Sequence, residues 1–222
     1  NKDLAKVVDG EKKSLFVDIN KFKNSVHNQS SCIKCHTNVS PSKNPICLNA
    51  GKVDCSICHA SQVDDYKISI HGQKHYSGEK TAPYCNDCHA VHDVQSQKNI
   101  SSPTFARNVP ELCGKCHREG LSIAATKDAS NKGIIANYKE SIHGKGLIQS
   151  WLLVTATCVD CHSSHRELPK VDPRSTVNPL NVAATCANCH LGIYEAFKSS
   201  IHSPSFNKTD KKLPSCSDCH FS

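Results

Sequence analysis

The chain has 222 residues, enough for one or two domains, but its composition does not suit a conventional hydrophobic core. Hydrophobic residues make up only 37% and aromatic residues 5%, whereas 15 residues are Cys and 14 are His. The formal charge of +7 favours an anionic partner such as nucleic acid unless bound groups offset it. No segment qualifies as a membrane span, because the best candidate, residues 146–156, is interrupted by polar residues and is shorter than the roughly 18 residues required.

The sequence begins with a polar segment, residues 1–14, and we predict that residues 1–21 form an N-terminal arm outside the main domain. The arm carries no apolar stretch of the kind found in a signal peptide, and the whole chain contains no Met. We therefore expect a processed form of an exported protein.

A six-residue pattern of aromatic, Lys, any residue, Ser, Ile or Val, and His occurs four times along the chain. In the last copy, Ile193, Phe197 and Ile201 recur at four-residue spacing, which predicts a short helix with one apolar stripe. We expect the C-terminal end of this helix to place the His. The four copies are residues 22–27, 66–71, 138–143 and 197–202.

Seven copies of the sequence CxxCH lie among and after these segments. CxxCH is the attachment signature of c-type haem, in which two thiols bond the porphyrin edge and the adjacent His binds the iron. Seven covalently attached c-type haems are therefore predicted. The cysteines are Cys32, Cys35, Cys55, Cys58, Cys85, Cys88, Cys113, Cys116, Cys158, Cys161, Cys186, Cys189, Cys216 and Cys219. The iron-binding histidines of the motifs are His36, His59, His89, His117, His162, His190 and His220.

Zinc ribbons are the alternative to haem, because their paired CxxC knuckles use the same spacing of thiolates. Zinc sites place no demand on the residue after the second Cys. Here every CxxC is followed by His, although only 14 of 222 residues are His. The pattern therefore favours haem.

Seven haems would also resolve the composition and the charge. They leave about 32 residues for each cofactor, too few for a separate protein layer around each, so we expect closely spaced haems to form the core. We predict that the apoprotein does not fold. Each ferric haem with two ionised propionates contributes a charge of about −1, which offsets the formal +7. The Lys residues then become solvated surface, and we expect no nucleic-acid partner.

The second ligand of each iron is predicted to be His, because the chain has no Met to provide the His/Met pair of many monohaem carriers. Seven histidines lie outside the CxxCH motifs, which equals the number of irons, and we call them the spare histidines. They are His27, His71, His75, His92, His143, His165 and His202.

The spacing of these residues reveals an internal repeat. The separations His89–His162, His92–His165 and His117–His190 are each 73 residues. We predict a single heptahaem domain over residues 22–222. It consists of repeat one (22–65), repeat two (66–137), repeat three (138–196) and a partial repeat four (197–222). The predicted fold is mostly irregular, with short α-helices around the haems and little or no β-sheet.

The repeats differ in their supply of spare histidines. Three residues after the motif histidine, repeats two and three have His92 and His165, whereas repeat one has Val39. Repeat two also has the additional His75. We therefore predict that His75 binds an iron of repeat one, that of the Cys55/Cys58 motif. The alternative is a solvated His75 and a ligand from a neighbouring subunit.

From residue 22 to the end, the chain resembles exported multihaem c-type cytochromes with doubled CxxCH motifs. The resemblance rests on SIHG before a haem motif, on CxxCHxxH, and on the connector DPRSTVNP before CANCH. This family includes small pentahaem donors to nitrite reductase and the wire-like cytochromes of metal-respiring bacteria. The resemblance implies electron transfer through stacked bis-His haems, and haem attachment outside the cytoplasmic membrane. It also implies redox proteins, such as other cytochromes or a terminal reductase, as partners.

Two functions from different classes are compatible with these motifs. The first is an electron conduit that is not an enzyme, periplasmic or extracellular, either as single chains or as a homopolymeric filament. The second is a multihaem enzyme of the nitrite or hydroxylamine type, which needs one iron with an open face. The absence of a CxxCK sequence and the equal numbers of irons and spare histidines favour the conduit.

Cys47 belongs to none of the CxxCH motifs. We expect it to be either a small buried side chain or part of a disulfide between chains.

Overall fold

The computed structural model describes residues 3, 5–8, 10–39, 51–118, 133–204, 207 and 213–220. Cys47 lies outside this range. As the sequence predicts, the described residues are mostly helical and irregular, with twelve α-helices of four to nine residues and one two-stranded sheet.

The helices are α1 Ile19–Lys23, α2 Cys32–Cys35, α3 Ala60–Ile68, α4 Ile70–Tyr76, α5 Cys85–His89, α6 Val109–Gly114, α7 Ile134–Glu140, α8 Ile142–Ile148, α9 Cys158–His162, α10 Val182–Ala187, α11 Leu191–Lys198 and α12 Cys216–Cys219. Two 3-10 turns are Cys55–Ile57 and Ala106–Asn108.

The sheet is a hairpin within the predicted N-terminal arm. Strands β1, Ala5–Val8, and β2, Glu11–Ser14, pair antiparallel, with Ala5 opposite Ser14. Gly10, in the connection, has a φ of 82°, a left-handed conformation that glycine adopts without strain.

The chain divides into two compact units. The first unit comprises Asn1–Cys58 and Cys85–Phe105, and the second comprises His59–Tyr84 and Ala106–Ser222. Within the first, the N–H of Val26 donates to the carbonyl of Val94 at 2.9 Å. Within the second, the N–H of Ile70 donates to the carbonyl of Glu167 at 2.9 Å. The single domain and the four repeat boundaries stay predictions.

Repeat two contains a sharp corner between α3 and α4 at Ser69. The Ser69 hydroxyl donates to the carbonyl of Tyr66 at 2.8 Å, at the end of α3, and accepts from the N–H of Gly72 at 3.0 Å, in the first turn of α4. One side chain thus caps two helices, which explains why the helices follow each other without a loop.

Repeat three has the same corner between α7 and α8. The Ser141 hydroxyl donates to the carbonyl of Tyr138 at 2.7 Å and accepts from the N–H of Gly144 at 3.1 Å. A Cβ atom at Gly144 would lie 1.9 Å from the carbonyl oxygen of Tyr138, and one at Gly72 would lie 1.8 Å from that of Tyr66. The corner therefore requires glycine immediately after the histidine.

The four histidines of the six-residue pattern consequently fall into two classes. His71 and His143 lie in the first turn of a second helix, α4 or α8, rather than at the end of the first helix. In repeat four, α11 ends at Lys198 and His202 lies in the following turn, so the predicted helix is confirmed and its histidine follows it. His27 likewise follows α1. In these two copies the residue after the histidine is Asn or Ser instead of Gly.

Tyrosine hydroxyls connect the same helices to the residues that precede the next haem motif. The Tyr66 hydroxyl donates to the carbonyl of Pro83 at 2.5 Å, and the Tyr138 hydroxyl donates to that of Ala156 at 3.0 Å. Each acceptor lies two residues before the first Cys of a motif. Burial, followed by the nearby Cys158 thiol and Asp160 carboxylate, raises the pKa of Tyr138 to about 12, so its hydroxyl stays protonated and able to donate.

The protein atoms alone provide little hydrophobic core. Among the described residues only six large hydrophobic side chains are buried, whereas 22 are exposed. Such a balance is typical of a chain that packs around an apolar group of another kind. The buried six are Val63, Tyr66, Val109, Ile135, Leu147 and Leu168. In the ranges that the structure describes, no helix combines the length and apolarity needed to cross a membrane.

Candidate haem-binding sites

The CxxCH sequences form short helical turns that bring both thiols of a motif to one side. In α9, the Asp160 carboxylate accepts from both the N–H and the hydroxyl of Thr157 at 2.7 Å, and the Thr157 hydroxyl in turn caps the helix. Asp218 and Ser215 form the same capping box at α12. Residues three apart share a helix face, so this turn directs the two cysteines to one porphyrin edge. The CxxCH spacing does not indicate a capping role for these aspartates. The signal that does so is Thr or Ser three residues before Asp, which is a recognisable capping pattern.

The motif cysteines are accessible for covalent attachment. All 14 are free thiols, and each is exposed or half-buried. Within the described residues, no three His, Cys, Asp or Glu side chains converge as a structural zinc site would require. The exposed and half-buried thiols fit covalent attachment of haem.

Thiols of consecutive motifs lie close together in the first unit. Burial raises the pKa of the Cys55 thiol, and the neighbouring Cys85 thiol, which interacts with it by charge and by a hydrogen bond, raises the pKa further. Cys55 belongs to the second motif and Cys85 to the third.

The second unit continues this arrangement through the last four motifs. A hydrogen bond with the Cys113 thiol lowers the pKa of Cys158. Burial raises the pKa of Cys161, with a further contribution from Cys186. Burial also raises the pKa of Cys186, with a further contribution from Cys216. Each of these pairs joins one motif to the next along the chain.

Three spare histidines lie close to a histidine of a CxxCH motif. In each case a ring that follows a CxxC sequence is paired with a ring 46 to 56 residues away. The ring centroids are 6.2 Å apart for His36 and His92, 5.9 Å for His71 and His117, and 6.1 Å for His143 and His190.

This spacing leaves room for one iron between the two rings. An imidazole nitrogen lies about 2 Å from a bound first-row metal and the ring centre roughly 1 Å further, so ligands on opposite faces have centres roughly 6 Å apart. Ring pairs that include a tyrosine reach the same distance by ordinary packing, as Tyr66 and Tyr84 do at 5.9 Å, so the three pairs are distinguished by having an imidazole on both sides. The Nδ1 atom of His36 is also buried without a hydrogen-bond partner, so this ring has binding capacity that protein groups leave unused. The three pairs therefore fit haem iron.

The electrostatic surroundings keep several of these imidazoles neutral, the form that binds metal. Burial lowers the pKa of His117, and the nearby His71 and His162 lower it further. Burial and then His36 lower the pKa of His92. Burial lowers the pKa of His162, against a smaller opposing effect of Glu167.

Three other spare histidines have hydrogen-bonding neighbours among the described residues. The N–H of His27 donates to the hydroxyl of Ser25 at 3.2 Å, and that of His202 donates to Ser200 at 3.3 Å. Nδ1 of His165 lies 3.4 Å from the hydroxyl of Ser164.

His75 stacks on the ring of Tyr84 with an interplanar angle of 19°. Its predicted bond to the iron of the Cys55/Cys58 motif stays a prediction. The pair of His36 and His92 is a separate connection between repeats one and two.

The remaining motif histidines follow their cysteines directly. His59 is the N-cap of α3, His89 ends α5, and His220 follows α12. Their ligation of iron is a prediction from the CxxCH sequence.

Comparison with known proteins identifies one segment of the chain. Residues 78–121 match the family described as "Doubled CXXCH motif", and this segment contains the third and fourth CxxCH sequences. No curated protein and no solved structure matches the chain. The match supports a multihaem c-type cytochrome with covalently bound haem.

Proposed function

We propose that the chain is a heptahaem electron-transfer protein that conducts electrons along a series of bis-His haems outside the cytoplasm. The observation that carries this proposal is the set of three His–His pairs with ring centroids 5.9 to 6.2 Å apart. In each pair, one member comes from a haem-attachment motif and the other is a spare histidine. When bound, each haem supplies an iron that alternates between ferric and ferrous states.

The paired imidazoles define what such an iron does. With haem bound, an imidazole on each side of the iron would leave no position for a substrate, so such an iron would accept and release electrons without binding a reactant. His36, His117 and His190 are the motif ligands, and His92, His71 and His143 are their proposed partners. Imidazoles on both faces suit an iron that changes only its oxidation state.

The order of the sites supports conduction along the chain. Thiols of the second and third motifs lie together, as do those of the fourth and fifth, the fifth and sixth, and the sixth and seventh. Because the thiols bond the porphyrin edge, adjacent thiols imply adjacent haem edges. We propose that other redox proteins, cytochromes or a terminal reductase, deliver and remove the electrons.

The proposal is tested by intact mass and electron paramagnetic resonance (EPR) spectra of the holoprotein. We expect the mass of seven added haems and a ferric spectrum that is entirely low-spin. His143→Ala should convert one haem in seven to high-spin. Lys145→Ala, which changes an exposed residue of the same helix α8, should not.

Two results would count against the proposal. A high-spin signal in the unmodified protein would favour an enzyme with an open iron. A low-spin spectrum that His143→Ala leaves unchanged would remove the proposed pair of His143 and His190.

A further inference from the structure

Glu167 lies beside one of the paired imidazoles. Its Oε2 atom is 3.8 Å from Nδ1 of His71, and both side chains are mostly buried, with 21% and 28% of their areas exposed. Because Nδ1 faces the carboxylate, the opposite nitrogen of the ring remains for an iron between His71 and His117. A carboxylate at the outer nitrogen of a metal-binding imidazole fixes its orientation and raises its basicity.

The backbone holds these two residues in register. The N–H of Ile70, next to His71, donates to the carbonyl of Glu167 itself at 2.9 Å. Because Ile70 is the neighbour of His71, this hydrogen bond holds the backbone of His71 beside that of Glu167. The two side chains approach each other from these neighbouring positions. An ion pair between two exposed, flexible side chains has no such backbone hydrogen bond to hold its members together.

The first unit contains the same backbone contact with a different side chain. There the N–H of Val26, which precedes His27, donates to the carbonyl of Val94 at 2.9 Å. Val94 and Glu167 are 73 residues apart, which is the repeat length, and each is the fifth residue after the His of a CxxCH motif. The fold thus needs only a backbone carbonyl at this position, and valine satisfies it. The backbone contact therefore does not account for the carboxylate of Glu167.

We propose that Glu167 is the carboxylate partner of the axial ligand His71, and that it lowers the reduction potential of the iron between His71 and His117. This inference rests on the proposed function, because it requires His71 to be that iron's ligand. A more basic, negatively polarised imidazole stabilises ferric over ferrous iron. The fourth haem therefore gives up its electron more readily than it would without Glu167.

The test is potentiometric titration of the holoprotein with Glu167→Gln and Glu167→Val. The first variant removes the charge and keeps the size, and the second reproduces the residue found at Val94. In both, we expect one redox component to shift upward by about tenfold in its reduction equilibrium constant, about 59 mV for a one-electron couple. The haem should remain low-spin in EPR spectra. The matched control is Glu140→Gln, which removes an exposed carboxylate paired with Lys145 near the other ligand His143, and should shift no component.

His71→Ala separates the possible failures. If His71→Ala produces no high-spin haem, the pair of His71 and His117 is wrong and the proposed function loses one of its supports. If it does, yet neither Glu167 variant shifts a potential more than Glu140→Gln does, only the role of Glu167 is overturned. The shift should also vanish when Glu167→Gln is combined with His71→Ala, because the effect acts through that ligand. A shift that persists in the double variant overturns the proposed partnership.

Discussion

The Ser141 hydroxyl and the Gly144 N–H, 3.1 Å apart, form the corner that places His143 in the first turn of α8. The adjoining carbonyl of Tyr138 lies where a side chain at Gly144 would begin. The SIHG sequence therefore determines the corner between the two helices and also contains the proposed ligand histidine. The serine caps both helices, the histidine follows at the second position of the new helix, and the glycine allows close approach of the backbone.

Gly144→Ala should displace His143 from its iron. The added Cβ would lie 1.9 Å from a backbone oxygen, so the corner must open, at a cost of about 1–3 kcal/mol. We expect a lower denaturation midpoint and a high-spin contribution from one haem. Gly192→Ala is the control, because a Cβ there meets nothing within 4 Å and alanine favours helix α11. Equal behaviour of the two variants would contradict this account of the corner.

Tyr138→Phe should weaken the connection between α7 and the fifth haem motif. The variant leaves the carbonyl of Ala156 without its 3.0 Å partner, which should cost roughly 1 kcal/mol in chemical denaturation. Tyr194→Phe is the matched control, because within the described part of the chain no hydrogen bond of the Tyr194 hydroxyl occurs. An effect of Tyr194→Phe as large as that of Tyr138→Phe would show that loss of a hydroxyl, rather than this bond, is responsible.

His75→Ala tests the ligand predicted from the histidine count. If His75 binds the iron of the Cys55/Cys58 motif, one haem in seven should become high-spin in the EPR spectrum. If the ring only stacks on Tyr84, the spectrum stays low-spin and the variant loses packing alone. Tyr84→Leu is the complementary variant, because it removes the stacking partner of His75 and keeps His75 itself. If His75 binds iron, this variant should keep the low-spin spectrum.

Withholding haem during expression should leave the chain largely unfolded. Only six large hydrophobic side chains are buried by the described protein atoms, too few to offset the conformational entropy of so long a chain. Far-ultraviolet circular dichroism should show little helix without haem and a helical spectrum with it. A cooperative thermal transition in the haem-free chain would contradict this prediction.

The sequence predicted the fold class because the CxxCH motifs and the poor supply of apolar residues are properties of composition and spacing. It also predicted the helix before His202, since Ile193 and Phe197 lie on one periodic stripe of α11. It did not predict the helix corner, which depends on two hydrogen bonds of a single serine rather than on periodicity. The pairing of His36 with His92 joins residues 56 positions apart, and Glu167 meets His71 through a contact between repeats. Contacts over such separations leave no periodic signal in one sequence.

The closeness of thiols from consecutive motifs has a consequence for how the protein is made. In the folded arrangement, the thiols of Cys55 and Cys85 interact directly, as do those of Cys113 and Cys158. Under oxidising conditions, neighbouring thiols can form disulfides that would join two motifs and block both from haem. A chain that folded before it received haem would be exposed to these disulfides. The prediction that the haem-free chain does not fold therefore implies that these thiols come together only once haem is attached.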